Sequence, residues 1–331
     1  MSNSIDDISY LEEQLKKQLD PGLDHISQIL LQPVQGVGKL IRPRLVLMVN
    51  GLFAPPNQQS YDVAIAVECI HTASLIHDDI IDQSQLRRGL PSTMALYGAK
   101  AAVLIGDHYF ATAFRLLASH SLNSILGDLA VVVSDMCIGE IKQDLGLHNP
   151  YLSEDDYFSN IYGKTASLFA GACRAGAISV GASPAEVQTL GQMGLHLGYA
   201  YQLADDVLDL TANESVLGKP TGSDLKQGIV TLPVIRALAV APERDWLASI
   251  IASANITDLD MDQASAIITH CGAIDYTRAV IAEQQSQVSK LLLSFASSPA
   301  REQLLNLVSS LTGMSEPINY HLPQLNPELR G

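Results

Sequence analysis

The sequence predicts an all-α protein, a single-domain bundle of long helices around a deep central cavity. Three observations carry that expectation. Apolar residues recur at helical rather than alternating spacing along most of the chain. Convincing alternating β runs are absent, as are a glycine-rich dinucleotide turn and a Walker loop. No fixed-period repeat or shift in composition marks a boundary, so residues 1–331 read as one domain, with a short, poorly structured tail from about 315.

The elements follow in order. Ile5, Ile8, Leu11, Leu15 and Leu19 define a helix that Asp20-Pro21-Gly22 stops. Pro43 opens a run to Phe53, which Ala54-Pro55-Pro56-Asn57 breaks. A long helix then spans Tyr61 to Ile81, Ser92-Thr93 starts another, and apolar runs cover 99–118 and 123–145. Ser153 with Asp156 forms an N-terminal cap. Ser183-Pro184-Ala185-Glu186 forms a stronger one, because capping box and first-position proline coincide. That cap launches a helix to about Leu210. Residues 213–230 are polar and glycine-rich, which predicts a loop. Helices resume at Thr231 and run to about Leu311, with breaks near Pro242, Gly272 and Pro299.

Composition bounds the function. A chain of 331 residues, 47% of them hydrophobic, can bury a sizeable core. No apolar run is long enough for an integral membrane segment. The N-terminal stretch is acidic and amphipathic without a signal peptide's apolar centre. Cys69, Cys137, Cys173 and Cys271 are isolated and read as reduced core residues, so the chain is expected in the cytoplasm. A net charge of −15 argues against nucleic acid and against anionic membrane surfaces as partners.

Chemistry concentrates at two helix ends. The long helix finishes in Asp78, Asp79 and Asp82, and Asp78 and Asp82 share one face at i, i+4. Like charges at that spacing repel, and the helix dipole makes them worse at a C-terminus. A cation between the carboxylates relieves both effects. Oxygen-only ligands suit a hard ion such as Mg2+, which takes one or two carboxylates plus substrate phosphates. One such motif fits a solvated acidic face equally well. The second copy, Asp205, Asp206 and Asp209 after another apolar helix, turns the pair into opposite walls of one site for a polyanion.

Cations stand near both walls. Lys39 and Arg42 lie in a glycine-softened segment before Pro43, Arg87-Arg88-Gly89 follows the first aspartates, and Lys164-Thr165 and Lys219 come later. Such groups can grip phosphates, Arg through its bidentate fork. Several separate cationic patches beside two metal-binding faces fit two diphosphate substrates.

The order and spacing of these motifs resemble those of the trans-isoprenyl diphosphate synthases, the head-to-tail polyprenyl synthases. The match runs from about Gly36 to Pro233. It comprises G-x-G-K-x-x-R-P, H-T-A-S-L-I-H-D-D-x-x-D-x-x-x-x-R-R-G, G-E-x-x-Q, G-K-T-A, Q-x-x-D-D-x-x-D, G-K-x-x-G-x-D-L and T-L-P. The resemblance implies the isoprenoid synthase fold and a homodimer, or pairing with the partner subunit of a heteromeric synthase. It implies Mg2+, three ions with substrate bound, held by Asp78, Asp82 and Asp205, with Asp79, Asp206 and Asp209 completing the faces. It assigns isopentenyl diphosphate to Lys39, Arg42, His71 and Arg88, and the allylic diphosphate to Arg87, Lys164, Thr165, Gln202 and Lys219. Asp78, Asp82, Asp205, Lys164 and Arg87 form the implied catalytic set.

The reaction so implied ionises an allylic diphosphate and joins its carbocation to isopentenyl diphosphate, giving a longer allylic diphosphate. Two departures from the family pattern stand out: Leu40 and Ile229 replace the basic residues usual there, and the lysine missing at Ile229 removes one expected diphosphate contact. Phe110 and Phe114, at i, i+4, read as core, His77 has no chemical case of its own, and Glu140 and Gln143 leave a helix-packing role open. In family members that stop early, aromatic residues sit four or five positions before the first aspartate. Here those positions are Ser74 and Ala73, and Ile70 and Val67 lie deeper. These four form the expected chain-length pocket, which predicts a long polyprenyl product of the quinone side-chain class. A geranylgeranyl diphosphate synthase and, less well, a class I terpene cyclase are the alternatives.

Overall fold

The structure, a computed structural model, describes residues 4–35, 38–87, 89–120, 122–211, 222–253 and 255–312. Arg88, Lys219, Gly36, Val37 and the tail expected from about 315 lie outside the described residues.

The first helices are α1 (Ser4–Leu19) and α2 (Asp24–Leu31), the latter missed by the sequence reading. A short 3-10 turn (Gln32–Val34) leads toward α3 (Ile41–Asn50). Pro43 stands at the third position of α3 rather than opening it, where its missing N–H still costs no helical bond. Leu40 caps α3 with left-handed backbone, φ 47°, its side chain 3% exposed. Then comes α4 (Gln58–Ile81), whose start is set by a capping box between Asn57 and Ser60. The Pro-Pro-Asn break is thus also the cap, a feature worth about 1 kcal/mol.

After α4 come two short antiparallel strands, β1 (Leu86–Arg87) and β2 (Leu90–Pro91), pairing Arg87 with Leu90. At two residues each they are too short to show any alternation, and the all-α class stands. Next are α5 (Thr93–Tyr97), α6 (Ala99–Ser119), α7 (Asn123–Leu145) and α8 (Glu154–Ile161). A single π turn (Tyr162–Ala166) joins α8 to α9 (Ser167–Ser179). Helix α10 (Pro184–Thr211) follows the expected Ser183–Glu186 cap: Ser183 N–H donates to Glu186 at 2.7 Å.

The predicted loop contains α11 (Ser223–Lys226). Beyond it run α12 (Leu232–Val240), α13 (Arg244–Ala252), α14 (Asp258–His270), α15 (Ala273–Leu292) and α16 (Pro299–Leu311). The break between α13 and α14 carries no proline and was not foreseen.

Helix α4 is buried on every side from Ser60 to Ile70 and packs chiefly on α6, while α10 packs on α9 and α15. Apolar side chains around α4 form one core, and those around the second half of α10 form another. Two long helices thereby carry their aspartates out of packed cores, and a rigid element holds a functional group more exactly than a loop does. Of the four cysteines, Cys69 and Cys173 are buried and Cys271 is half-buried. Cys137 corrects the all-core expectation, because it lies exposed on α7.

Candidate active site

Two cavities meet at the end of α4. The polar one, about 280 Å³, is lined by Asp78 from α4, Asp82 at its C-cap, Asp205 and Asp206 from α10, Lys164 from the π turn, and Arg87. The apolar one, about 230 Å³, runs between α4, α6 and α7 past Ser74, His77, Phe110, Val133 and Met136. Asp78 and Lys164 line both.

Within each motif the three aspartates do different work. Asp79 is 3% exposed and does not line the polar cavity. The Arg87 guanidinium donates to its Oδ1 through Nε at 2.9 Å and Nη2 at 2.6 Å. The Asp79 side chain is buried while that of Arg87 is more than a third exposed, so the bidentate pair anchors Arg87 without burying its charge. In the second motif Asp205 is exposed to the cavity. Asp206 lies behind it, accepting from the Tyr157 hydroxyl at 2.5 Å and from Gln202 Nε2 at 2.8 Å. The Thr165 hydroxyl in turn donates to Gln202 Oε1 at 2.7 Å. Asp209 ties down α11, accepting from the Ser223 hydroxyl at 2.8 Å and the Asp224 N–H at 3.2 Å.

Crowded carboxylates titrate late. Burial, reinforced by the Glu140 carboxylate, pushes the Asp78 carboxyl up to about 7 against the opposing pull of Lys164 and Arg87. Burial also raises Asp82, opposed by Lys164 and helped by Glu140. Asp206 is pushed up to about 7 by burial, which outweighs its hydrogen bonds from Tyr157 and Gln202. Charge of one sign has gathered here faster than the protein supplies counter-charge. The oxygen-only donors Asp78, Asp82 and Asp205 fit a hard divalent cation. Among the described residues, no three acidic, histidine or cysteine side chains converge tightly enough to hold a metal alone. Bound diphosphate oxygens would complete the coordination.

Of the residues implied for isopentenyl diphosphate, Arg42 and His71 stand together. Arg42 is 8% exposed, with Nη1 3.1 Å from His71 Nε2 and its guanidinium 4.7 Å from the centre of the Phe169 ring. Lys39 is exposed nearby in sequence, and none of these three lines either cavity. Of the four expected chain-length residues, Ser74 lines the apolar cavity. Ala73, Ile70 and Val67 are fully enclosed in the core around α4.

Phe110 corrects a sequence expectation, because it lines the apolar cavity, stacked on Phe114 with ring centres 6.5 Å apart. His77 also lines it, its ring 5.8 Å from that of Phe110. Gly106 makes room for that ring: a Cβ there would collide with His77 Nε2. Tyr157 and Asp224 were missed as site residues, yet both line the polar cavity. Asp224 stood in the quoted G-x-D-L motif, whereas nothing local singles out Tyr157. Ile229 faces the polar cavity as well.

Residues 23–268 match the Polyprenyl synthetase family model, and the chain belongs to that family and is a prenyltransferase. The octaprenyl diphosphate synthase of Escherichia coli (strain K12) is 31% identical over 303 residues, 91% of this chain and 94% of the relative. A short chain isoprenyl diphosphate synthase of Methanothermobacter thermautotrophicus is 37% identical over 81% of this chain and 83% of its own. Heptaprenyl diphosphate synthase component 2 of Geobacillus stearothermophilus is 36% identical over 76% of this chain and 83% of its own. Among solved structures, a polyprenyl synthase from Caulobacter crescentus CB15, complexed with calcium and isoprenyl diphosphate, superposes with a TM-score of 0.87. It is 33% identical, with 93% of this chain and 95% of that one covered. The expected isoprenoid synthase fold is therefore present, and no described helix is long and apolar enough to cross a membrane.

Proposed function

We propose that this chain, as a single catalytic domain, extends an allylic diphosphate by head-to-tail addition of isopentenyl diphosphate to give a long all-trans polyprenyl diphosphate of the quinone side-chain class. One observation carries the reading: the polar cavity bearing both aspartate walls adjoins an apolar one, with Asp78 and Lys164 in the lining of each. A diphosphate head and a hydrocarbon tail need that junction. Mg2+ held at Asp78, Asp82 and Asp205 would stabilise the negative charge leaving with the diphosphate. That the Caulobacter synthase was complexed with calcium and isoprenyl diphosphate supports a divalent ion as the companion of a diphosphate.

Lys164 and Arg87 add cationic donors on the diphosphate side, and Lys219 joins them by its motif. Thr165 and Gln202 hold Asp206 and thereby the second wall. Lys39, Arg42, His71 and Arg88 hold isopentenyl diphosphate so that its double bond meets the allylic carbon. The apolar cavity keeps water from the cation. Small Ser74 leaves the cavity open one turn below Asp78, and the octaprenyl and heptaprenyl relatives support a product beyond geranylgeranyl.

The working unit is a dimer of identical chains. Its support is an apolar face on α6 and α7 that includes the open side of the apolar cavity: Ile141 lines that cavity and is 60% exposed. A cytoplasmic setting accords with four unpaired cysteines.

The test is to incubate the pure protein with Mg2+, farnesyl diphosphate and isopentenyl diphosphate and to weigh the products by mass spectrometry. Condensation products longer than geranylgeranyl, formed only when both substrates are present, are expected. Diphosphate released from farnesyl diphosphate alone would indicate a cyclase and overturn the reading.

A further inference from the structure

Helix α7 crosses the junction of the two cavities with one turn of its length. Gln143 lines the polar cavity, and Glu140, three residues earlier, lines the apolar one. Glu140 Oε2 lies 3.1 Å from Lys164 Nζ, and both side chains are partly buried. The backbone brings them together. A Cβ at Gly139 would come within 2.6 Å of the Lys164 nitrogen, and one at Gly163 within 2.7 Å of Gly139 Cα. Only a pair of glycines lets the π turn lie so close to α7, and the result is a lysine Cα fixed beside Glu140.

Backbone contact does not aim an ammonium at the end of a four-carbon stem with freely rotating bonds. The ion pair does. An ammonium has three donors, so a carboxylate on the hydrocarbon side can hold one and leave two for the polar cavity. Asp78 faces the same point, and Glu140 and Lys164 act on its carboxyl with opposite sign, which sets all three groups around one small volume.

We infer that Glu140 is a positioning residue, holding the Lys164 ammonium at the junction of the two cavities and aimed at the allylic diphosphate. The inference rests on the proposed reaction and goes beyond it, since helix packing alone would also account for a glutamate on α7.

The experiment compares Glu140→Gln and Glu140→Ala in wild-type and Lys164→Ala backgrounds, measuring kcat and the KM for farnesyl diphosphate at saturating isopentenyl diphosphate. Misaimed charge costs turnover, so Glu140→Ala should lower kcat about 100-fold, and Glu140→Gln, which still accepts a hydrogen bond, about 10-fold. The KM should stay within about 2-fold, because a resting ion pair adds no net ground-state binding. With Lys164 already removed, neither change should lower kcat further. Equal losses in both backgrounds, or a raised KM at unchanged kcat, would overturn the inference. So would a fall in thermal midpoint for Glu140→Gln that matches the lost activity. A wild-type protein that condenses nothing sinks the proposed reaction itself, whereas normal turnover in Glu140→Ala beside an active wild type sinks only the role of Glu140.

Discussion

Asp78 stands at its titration midpoint near neutrality, because burial and the Glu140 carboxylate push its carboxyl up to about 7. Its unfolded value is 3.8, so between those values the folded chain binds the extra proton. Stability from this group is therefore full below about pH 4 and is lost as pH rises through 7. Asp206, also pushed to about 7, acts in the same direction. Asp156, Glu186 and Asp260, lowered by hydrogen bonds from their capping partners, lose their contribution only in stronger acid and leave this window alone. The thermal midpoint of metal-free protein should fall from about pH 5 to pH 8, and Mg2+ with inorganic diphosphate should flatten the fall. A metal-free midpoint that rises across this range would contradict the burial of these carboxyls. Ile229 gives a second test at this scale. It faces the polar cavity, so Ile229→Lys should tighten the KM for the allylic substrate, by about 1–3 kcal/mol at most for one charged hydrogen bond. An unchanged KM would mean that another cation already fills the position. That Asp78, Asp82, Asp205, Arg87 and Lys164 share one cavity follows motifs legible in the sequence, because each motif is local and the aspartate spacing follows the helical repeat. Tyr157 was not, because its hydrogen bond to Asp206 closes a loop of 49 residues and leaves no trace in local pattern.

At the scale of elements, the long helices and most of their ends could be read from apolar periodicity, capping pairs and prolines. The π turn at Tyr162–Ala166 could not, since one inserted residue leaves the apolar pattern on either side intact. Its consequence is functional, because it presents Lys164 to both cavities. The proposed path of the growing chain was also only half legible. Counting back from Asp78 identified Ser74, one turn away, but the apolar cavity leaves α4 there and continues between α6 and α7. The opposing wall is Phe110, a residue whose i, i+4 partner Phe114 made it look like core. Ser74→Phe should therefore shorten the product to about farnesyl or geranylgeranyl length, as one aromatic ring closes the passage one turn, about 5.4 Å, below the aspartate. Phe110→Ala should lengthen it by opening the far wall. Mass analysis of both product sets decides the matter: if neither variant changes chain length, the hydrocarbon does not grow through this cavity.

At the scale of the whole molecule, one face is unfinished. Val131, Ile138, Ile141 and Leu145 recur along α7 at intervals of seven, three and four, which sets them on one face of the helix, and all are exposed, Leu145 at 80%. Val103 and Leu104 add to it from α6, Leu104 at 62%. Apolar side chains scattered singly are ordinary on a surface, but a stripe of this length marks a binding face. The sequence could not distinguish that stripe from a core-facing one, since periodicity reports which residues share a face and not what covers it. Ile81, Cys137 and Ile141 belong at once to the exposed surface and to the wall of the apolar cavity. A second copy related by a two-fold axis would cover the same stripe on both chains and shut both cavities from water. Wild-type protein should therefore sediment as a dimer at micromolar concentration. Leu104→Glu with Val131→Glu, neither of which lines the cavity, should give a folded monomer, because paired like charges at a symmetric interface repel twice over. That monomer should still bind substrates at the aspartate walls but release shorter products, with water capturing the chain where the partner's face is missing. A wild-type monomer that already makes the full-length product would show that one chain closes its own cavity, and the stripe would then need a different partner.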